Sequence, residues 1–294
     1  MDAAPEPTAA VCHDAGAANI VIEAIRAAPA GRRFVVYLQG PALEIWRRDP
    51  VARVAVADSL DEALATARFL VTGTGWASTL EHDARALARL RGIPQAAVID
   101  HWVNYGERFV RGGVTVLPDE LWVTDPYALA EAQRVVPGIP VRQVPNFYLR
   151  RTLAEVSPPP LEPRVLYVLE PLRYTWPGLA QPGEFEALDF FVRNVALIGL
   201  RGAPIRLRPH PSDPSSKYDA WLRANVSAGM EMDASPSLVA ALSWASWVVG
   251  CETMALAIAL DAGRRVVSSM PPNAPHCRLP HAGIVHLREL TGAA

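Results

Sequence analysis

Short apolar runs that stop at Gly, Asp, His or Pro, each followed by a helical pattern, recur along most of this 294-residue chain. That alternation constrains the fold more than any single motif, because strands spaced by helices of about 10–15 residues pair as parallel βαβ units. The first half reads as strands over residues 9–12, 33–38, 69–72, 95–99, 120–124 and 141–144. Its helices fall over 17–28, 42–48, 59–68 and 126–135, with another capped by Ser78, running to about residue 90 and stopped by Gly92. The second half reads as strands over 164–169, 205–207, 247–249, 265–268 and 283–286, and as helices over 185–200, 218–225, 236–243 and 253–261. Between the halves lies Pro158-Pro159-Pro160, with Pro163 close behind, a stiff extended linker. The expectation is an α/β chain of two Rossmann-like domains facing a cleft, 1–156 and 157–294.

Composition narrows the function classes. Hydrophobic residues make up 50% and charged residues 20%, which suits a globular protein with a large core. A net charge of −2 and a pI near 6.4 do not describe a nucleic-acid binder. Of 28 Lys and Arg residues only Lys217 is a lysine. Cys12, Cys251 and Cys277 are odd in number and far apart, so they form neither a metal pattern nor a disulfide framework, as suits a reducing compartment. No secretory signal and no membrane-spanning run is read. The expected location is cytoplasmic, with peripheral membrane contact through exposed Trp and Arg left open.

In open parallel sheets, ligands bind at the carboxyl ends of strands, and the polar clusters fall there. His13-Asp14-Ala15-Gly16, with Asn19 behind it, follows the first strand. Small residues let a ligand approach the backbone, and Asp14 is a candidate general base, with His13 beside it. The alternative is an ordinary turn with Asp14 capping the helix. Thr72-Gly73-Thr74-Gly75-Trp76 is a tight loop without dinucleotide or Walker spacing; Thr74 and Trp76 could meet an acceptor or sugar. Asp100-His101-Trp102-Val103-Asn104, with Arg108 close behind, mixes an aromatic face with polar groups, as sugar sites do. Asp100 and His101 are the second candidate base.

In the second half, Arg208-Pro209-His210-Pro211, followed by Ser212, puts a guanidinium and an imidazole on a stiff turn after a strand, which suits a phosphate or pyrophosphate. Glu170 and Arg173 end the first strand of this half. Gly250-Cys251-Glu252-Thr253 joins a strand to a helix, where a hydroxyl and backbone N–H groups make an anion site and Glu252 is placed for sugar hydroxyls. Ser268 and Ser269 could rim the same pocket. Cys12 reads as a buried, inert thiol inside its strand.

The RPHP turn, the following Ser/Asp-rich helix and the segment SWVVGCETMALAIALDAGRRVVSS resemble the donor domain of nucleotide-sugar glycosyltransferases of the GT-B fold. The likeness covers roughly residues 160–270 and is nearest to bacterial capsule and lipopolysaccharide transferases with a His-Pro or Arg-x-His-Pro motif, of Kdo, sialic-acid or polyglycerol-phosphate type. It implies that His210 and Pro211 bind donor phosphate, that Thr253 assists, and that no metal or cofactor is needed. It implies glycosyl transfer from a phosphate-activated donor, a nucleotide sugar or a phosphoribosyl diphosphate, to a hydroxyl of a surface polysaccharide or glycolipid. A nucleotide-sugar epimerase or hydrolase of the same fold is the alternative, and a non-catalytic sugar or nucleotide binder a third reading. Many relatives of this fold carry a Glu in the helix after the Ser/Thr, where this chain has Ala255 to Ala259.

Overall fold

The computed structural model describes residues 4–75, 77–174, 176, 178, 180–225 and 229–292. It divides into two compact units, Met1–Arg151 and Thr152–Ala294. The division falls inside a helix, just ahead of the proline run.

The first unit is built on a seven-stranded parallel sheet. In chain order it contains β1 (Thr8–Cys12), α1 (Ala15–Ala27), β2 (Phe34–Leu38), α2 (Gly40–Arg48), β3 (Ala55–Val56), α3 (Leu60–Ala65), β4 (Phe69–Thr72) and α4 (Leu80–Leu90). Then come β5 (Gln95–Val98), the hairpin β6 (Val110–Arg111) and β7 (Val114–Thr115), β8 (Glu120–Val123), α5 (Pro126–Val135), β9 (Val141–Gln143) and α6 (Phe147–Glu155). The sheet order is β3-β2-β1-β4-β5-β8-β9, so the chain reverses its direction of winding between β1 and β4. Every residue of β1 and β4 is buried. The period of two along β1 sends Ala10 and Cys12 to the α1 face, with Ile25 and Val21, and sends Ala9 and Val11 to the α4 face, with Leu80 and Ala84. Ile25 is fully buried, and truncating such a side chain to Ala typically costs ~2–5 kcal/mol.

The second unit contains β10 (Val165–Val168), α7 (Gly183–Asn194), β11 (Ile205–Arg208), α8 (Asp219–Ala224), β12 (Met230–Met232), α9 (Leu238–Trp244), β13 (Trp247–Gly250), α10 (Met254–Asp261), β14 (Arg265–Ser268), β15 (Ile284–His286) and α11 (Leu287–Leu290). All its strands are parallel, in the order β12-β11-β10-β13-β14-β15. This is the doubly wound arrangement, with its switch point between β10 and β13. Tyr167 on β10 packs on Phe191 of α7 with ring centroids 5.3 Å apart and planes tilted by 50°, and Leu188, Leu207 and Val249 belong to the same core cluster.

Six elements go beyond the sequence expectation. β3 and β12 are two- and three-residue edge strands, too short to show a period. The β6–β7 hairpin turns at Gly112 and Gly113, both with positive φ. α6 starts after Asn146, whose side chain accepts the Leu149 N–H at 2.9 Å. α11 is a single turn after the last strand. Conversely, the helix expected to reach residue 200 ends at Asn194 and tightens into a 3₁₀ turn over Val195–Ile198, stopped by Gly199 at φ 73°. α4 begins at Leu80 with Thr79 at the cap position, and Ser78, expected as the cap, accepts the Leu80 N–H through its hydroxyl at 3.1 Å.

Candidate functional site

In the first unit, β1, β4 and β5 deliver three loops to the carboxyl end of the sheet. Two contacts depend on the absence of a side chain. A Cβ on Gly16 would lie 1.7 Å from Oδ2 of Asp100, and one on Gly75 would lie 2.2 Å from Oδ2 of Asp14. Each candidate carboxylate therefore packs over a bare Cα of a neighbouring turn, which places Asp14 and Asp100 in one cluster. His13 Nδ1 lies 2.8 Å from Oδ1 of Asp14, and both side chains remain partly exposed. With Asp14 ionised, Nδ1 carries the proton and holds the carboxylate.

The cluster rests on a residue that the sequence did not single out. Glu81, on α4, is 1% exposed. Its Oε1 accepts the His13 N–H at 3.0 Å and its Oε2 the Gly75 N–H at 2.9 Å. One buried carboxylate thus fastens the turn after β1 to the loop after β4. Burial pushes its carboxyl up, and the two N–H bonds and Arg85 pull it back. Arg85, also buried, donates to Thr72 Oγ1, the Gly73 carbonyl and the Val116 carbonyl. A Glu and an Arg four apart on a helix ordinarily read as a solvated surface pair, so neither signalled a site.

Arg108 donates to Oδ1 of Asp100 at 2.9 Å, to Thr74 Oγ1 at 3.1 Å and to the Val103 carbonyl at 3.2 Å. Thr74 is buried and donates to the Val98 carbonyl. Arg108 and Thr74 therefore hold Asp100 in place more than they face a ligand. His101 Nδ1 accepts the Trp102 N–H at 3.0 Å, and Trp102 Nε1 donates to both oxygens of Asp125, the cap of α5. Asn104 sits at φ 60°, and Asn19 is half-buried on α1. Trp76 lies outside the described residues. Cys12 is fully buried with its thiol pushed well up by burial, an inert core group.

In the second unit, Arg173, His210 and Ser212 come together. Arg173 Nη2 donates to the Ser212 carbonyl at 3.1 Å and to its hydroxyl at 3.0 Å. The Ser212 N–H donates to Nδ1 of His210 at 3.2 Å, so the neutral ring carries its proton on Nε2. Burial lowers the His210 pKa; Asp213 opposes this, and Arg173 and Lys217 add to it. His210 is therefore a neutral N–H donor at pH 7, and Arg173 is the charge beside it. The loop is anchored from below. Lys217 pairs at 2.7 Å with both Asp213 and Glu184, and Tyr218 donates to Asp213 at 3.1 Å.

Arg208 departs from its expected role. It pairs with the buried side chain of Asp233 and donates to the Ser235 carbonyl, so it ties the end of β11 to the end of β12. Glu252 is engaged by Arg278, through Nε at 3.1 Å and again through Nη2, a partner 26 residues away that the sequence did not reveal. Ser268 and Ser269 are buried and give their hydroxyls to the carbonyls of Cys251 and Gly250. Both support the turn from behind instead of rimming it. Thr253 caps α10, its hydroxyl accepting the Ala255 N–H at 3.3 Å.

Glu170 is the largest departure. Its Oε1 accepts the N–H groups of Cys251 at 2.8 Å and Glu252 at 2.9 Å, and its Oε2 lies 3.2 Å from the Glu252 nitrogen. Burial pushes this carboxyl up to about 7; the N–H groups of Cys251, Glu252 and Thr253 hold it down, and the charge of Glu252 opposes them.

Two doubly wound Rossmann-like units place the chain in the GT-B fold class. Solved structures similar to it include a glycotransferase and a UDP-GlcNAc 2-epimerase. The glycotransferase of kitacinnamycin matches with a TM-score of 0.53 at 15% identity, over 92% of this chain and 82% of that one. MnaA of S. aureus, solved with UDP, matches with a TM-score of 0.58 at 10% identity, over 89% and 78%. The UDP-GlcNAc 2-epimerase of Neisseria meningitidis, bound to UDP-GlcNAc, matches with a TM-score of 0.56 at 10% identity, over 89% and 81%. No protein-family model matches the sequence, and no curated protein matches it. Among the described residues no helix is long and apolar enough to cross a membrane, and no three His, Cys, Asp or Glu side chains gather as a metal site.

Proposed function

We propose that this chain is a glycosyltransferase that moves a sugar from a phosphate-activated donor to a hydroxyl acceptor, with the second unit on the donor side and the first on the acceptor side. The convergence of Arg173, His210 and Ser212 at the carboxyl ends of a doubly wound sheet carries this reading. Negative charge grows on the leaving phosphate as the glycosidic bond to it breaks. A guanidinium fork and an imidazole N–H, held in place before the reaction, meet that charge without reorganisation. On the acceptor side Asp14 takes the proton from the attacking hydroxyl, oriented by His13. Asp100, held by Arg108, shapes the same loops, and Asp100 with His101 is the reserve assignment for the base. A hydroxyl of a surface polysaccharide or glycolipid is the acceptor class that the donor-domain resemblance supports.

Incubation with nucleotide sugars and a hydroxyl acceptor tests the assignment. Asp14→Asn is expected to lower turnover by roughly 10²–10⁴-fold, the usual span for a general base, and unchanged turnover would remove Asp14 from that role. A second reading, epimerisation or hydrolysis of a nucleotide sugar, draws support from the likeness to the UDP-GlcNAc 2-epimerase of Neisseria meningitidis. An epimer or free sugar formed without any acceptor would favour it over transfer.

A further inference from the structure

The start of a helix with open N–H groups is a ready site for phosphate, and the turn leading into α10 has the sequence for one. In the folded chain that place is already taken. Cys251 and Glu252 direct their N–H groups at Glu170, and the Thr253 hydroxyl accepts the Ala255 N–H. Glu170 is 9% exposed, and among the described residues no Lys, Arg or His forms an ion pair with it. Among the described residues, the hydrogen bonds to its carboxyl come from backbone N–H groups, as those to a bound anion would. A ligand phosphate entering the same turn would meet two carboxylates, Glu170 and Glu252, and no open donor from Cys251 or Glu252.

We propose that Glu170 is a positioning residue that occupies the anion nest before α10 and so confines phosphate binding to Arg173 and His210, leaving the β13–α10 turn to the uncharged part of the ligand. The proposal rests on the donor-side reading of this unit. It keeps the expectation that Glu252, now paired with Arg278, meets hydroxyl groups of a ribose or sugar.

Inorganic pyrophosphate is the probe, and calorimetric titration of the full chain is the measurement. Arg173→Ala and His210→Ala are each expected to weaken binding at least tenfold. Glu170→Gln keeps the nest filled but removes its charge, and is expected to tighten binding about threefold. Glu170→Ala opens the nest and tightens binding further, and the double variant Arg173→Ala with Glu170→Ala regains binding that Arg173→Ala alone has lost. A residue that merely held the fold would weaken binding in every Glu170 variant. Tenfold weaker binding in folded Glu170→Gln overturns the proposal while the functional reading stands, and pyrophosphate binding untouched by Arg173→Ala and His210→Ala overturns the proposal and the functional reading together. Wild-type protein that binds no pyrophosphate, beside a Glu170→Ala variant that does, keeps the role of Glu170 and removes the functional reading. No binding by either protein overturns both.

Discussion

Each unit carries one buried glutamate at its switch point, and the two are used in opposite ways. Glu81 divides its oxygens between two turns, accepting from His13 with one and Gly75 with the other. Its partner cation, Arg85, is buried beside it on the same helix. Glu170 gives its accepted bonds to a single turn, and among the described residues no cation is paired with it. The first is a clip between loops; the second fills a nest. The difference follows from where each residue sits. Glu81 reaches up from α4, between the ends of β1 and β4, whereas Glu170 lies just past the end of β10 and bonds to the neighbouring turn after β13. Buried carboxylates at strand ends therefore need not be catalytic, and the pattern of their bonds separates a strut from a ligand mimic.

The largest effect should come from cutting the clip. Glu81→Ala leaves two buried N–H groups without partners at ~1–3 kcal/mol each, so chemical denaturation should show a loss of about 3 kcal/mol. A loss below about 1 kcal/mol would mean that the two turns hold each other without it.

The nest-filling glutamate should show itself through pH. Folding raises the Glu170 carboxyl from its ordinary 4.5 to about 7, so the folded chain holds that proton more tightly than the unfolded one. The resulting stability is fully present below pH 4.5 and is lost as pH rises through about 7. The loss is up to about 3 kcal/mol at ~1.36 kcal/mol per pKa unit. Glu81 adds a change of the same sign. Melting curves between pH 4.5 and 7.5 should therefore flatten in Glu170→Gln, and an unchanged slope would take the charge of Glu170 out of the account.

A smaller effect is expected at Gly16. A methyl there would lie 1.7 Å from Asp100, which Arg108 pins in place. Gly16→Ala should cost ~1–3 kcal/mol by overpacking, read from a denaturation midpoint. The smallest belongs to the half-exposed Glu252–Arg278 pair. Arg278→Ala should change stability by less than about 1 kcal/mol, and a larger change would mean that the pair supports the turn as Glu170 does.

The sheets were legible because their strands end in polar turns and their helices keep a steady period. Apart from Thr8 at the start of β1 and Thr72 at the end of β4, the strands β1, β4, β10 and β13 are built from apolar and aromatic residues and glycine, as suits strands covered on both faces. The short edges β3 and β12 were not, since two or three residues carry no period. Part of the site was equally legible. His13, Asp14, Asp100, Arg173 and His210 all stand at strand ends because the parallel fold puts them there. Their partners were hidden. Arg208 pairs with Asp233, Glu252 with Arg278, and Glu170 with backbone groups more than 80 residues on. Such contacts depend on which strands neighbour each other, and spacing along the chain does not disclose that.

The donor-side claim is tested most directly by thermal stabilisation of the wild-type protein and His210→Ala by CMP, CDP, UDP, GDP and phosphoribosyl diphosphate. A ligand at 100 times its Kd adds ~2.7 kcal/mol. A clear shift with at least one of them, lost in His210→Ala, is the predicted result. No shift with any of them, or a shift that His210→Ala leaves intact, would contradict the assignment of His210 and Arg173 to donor phosphate.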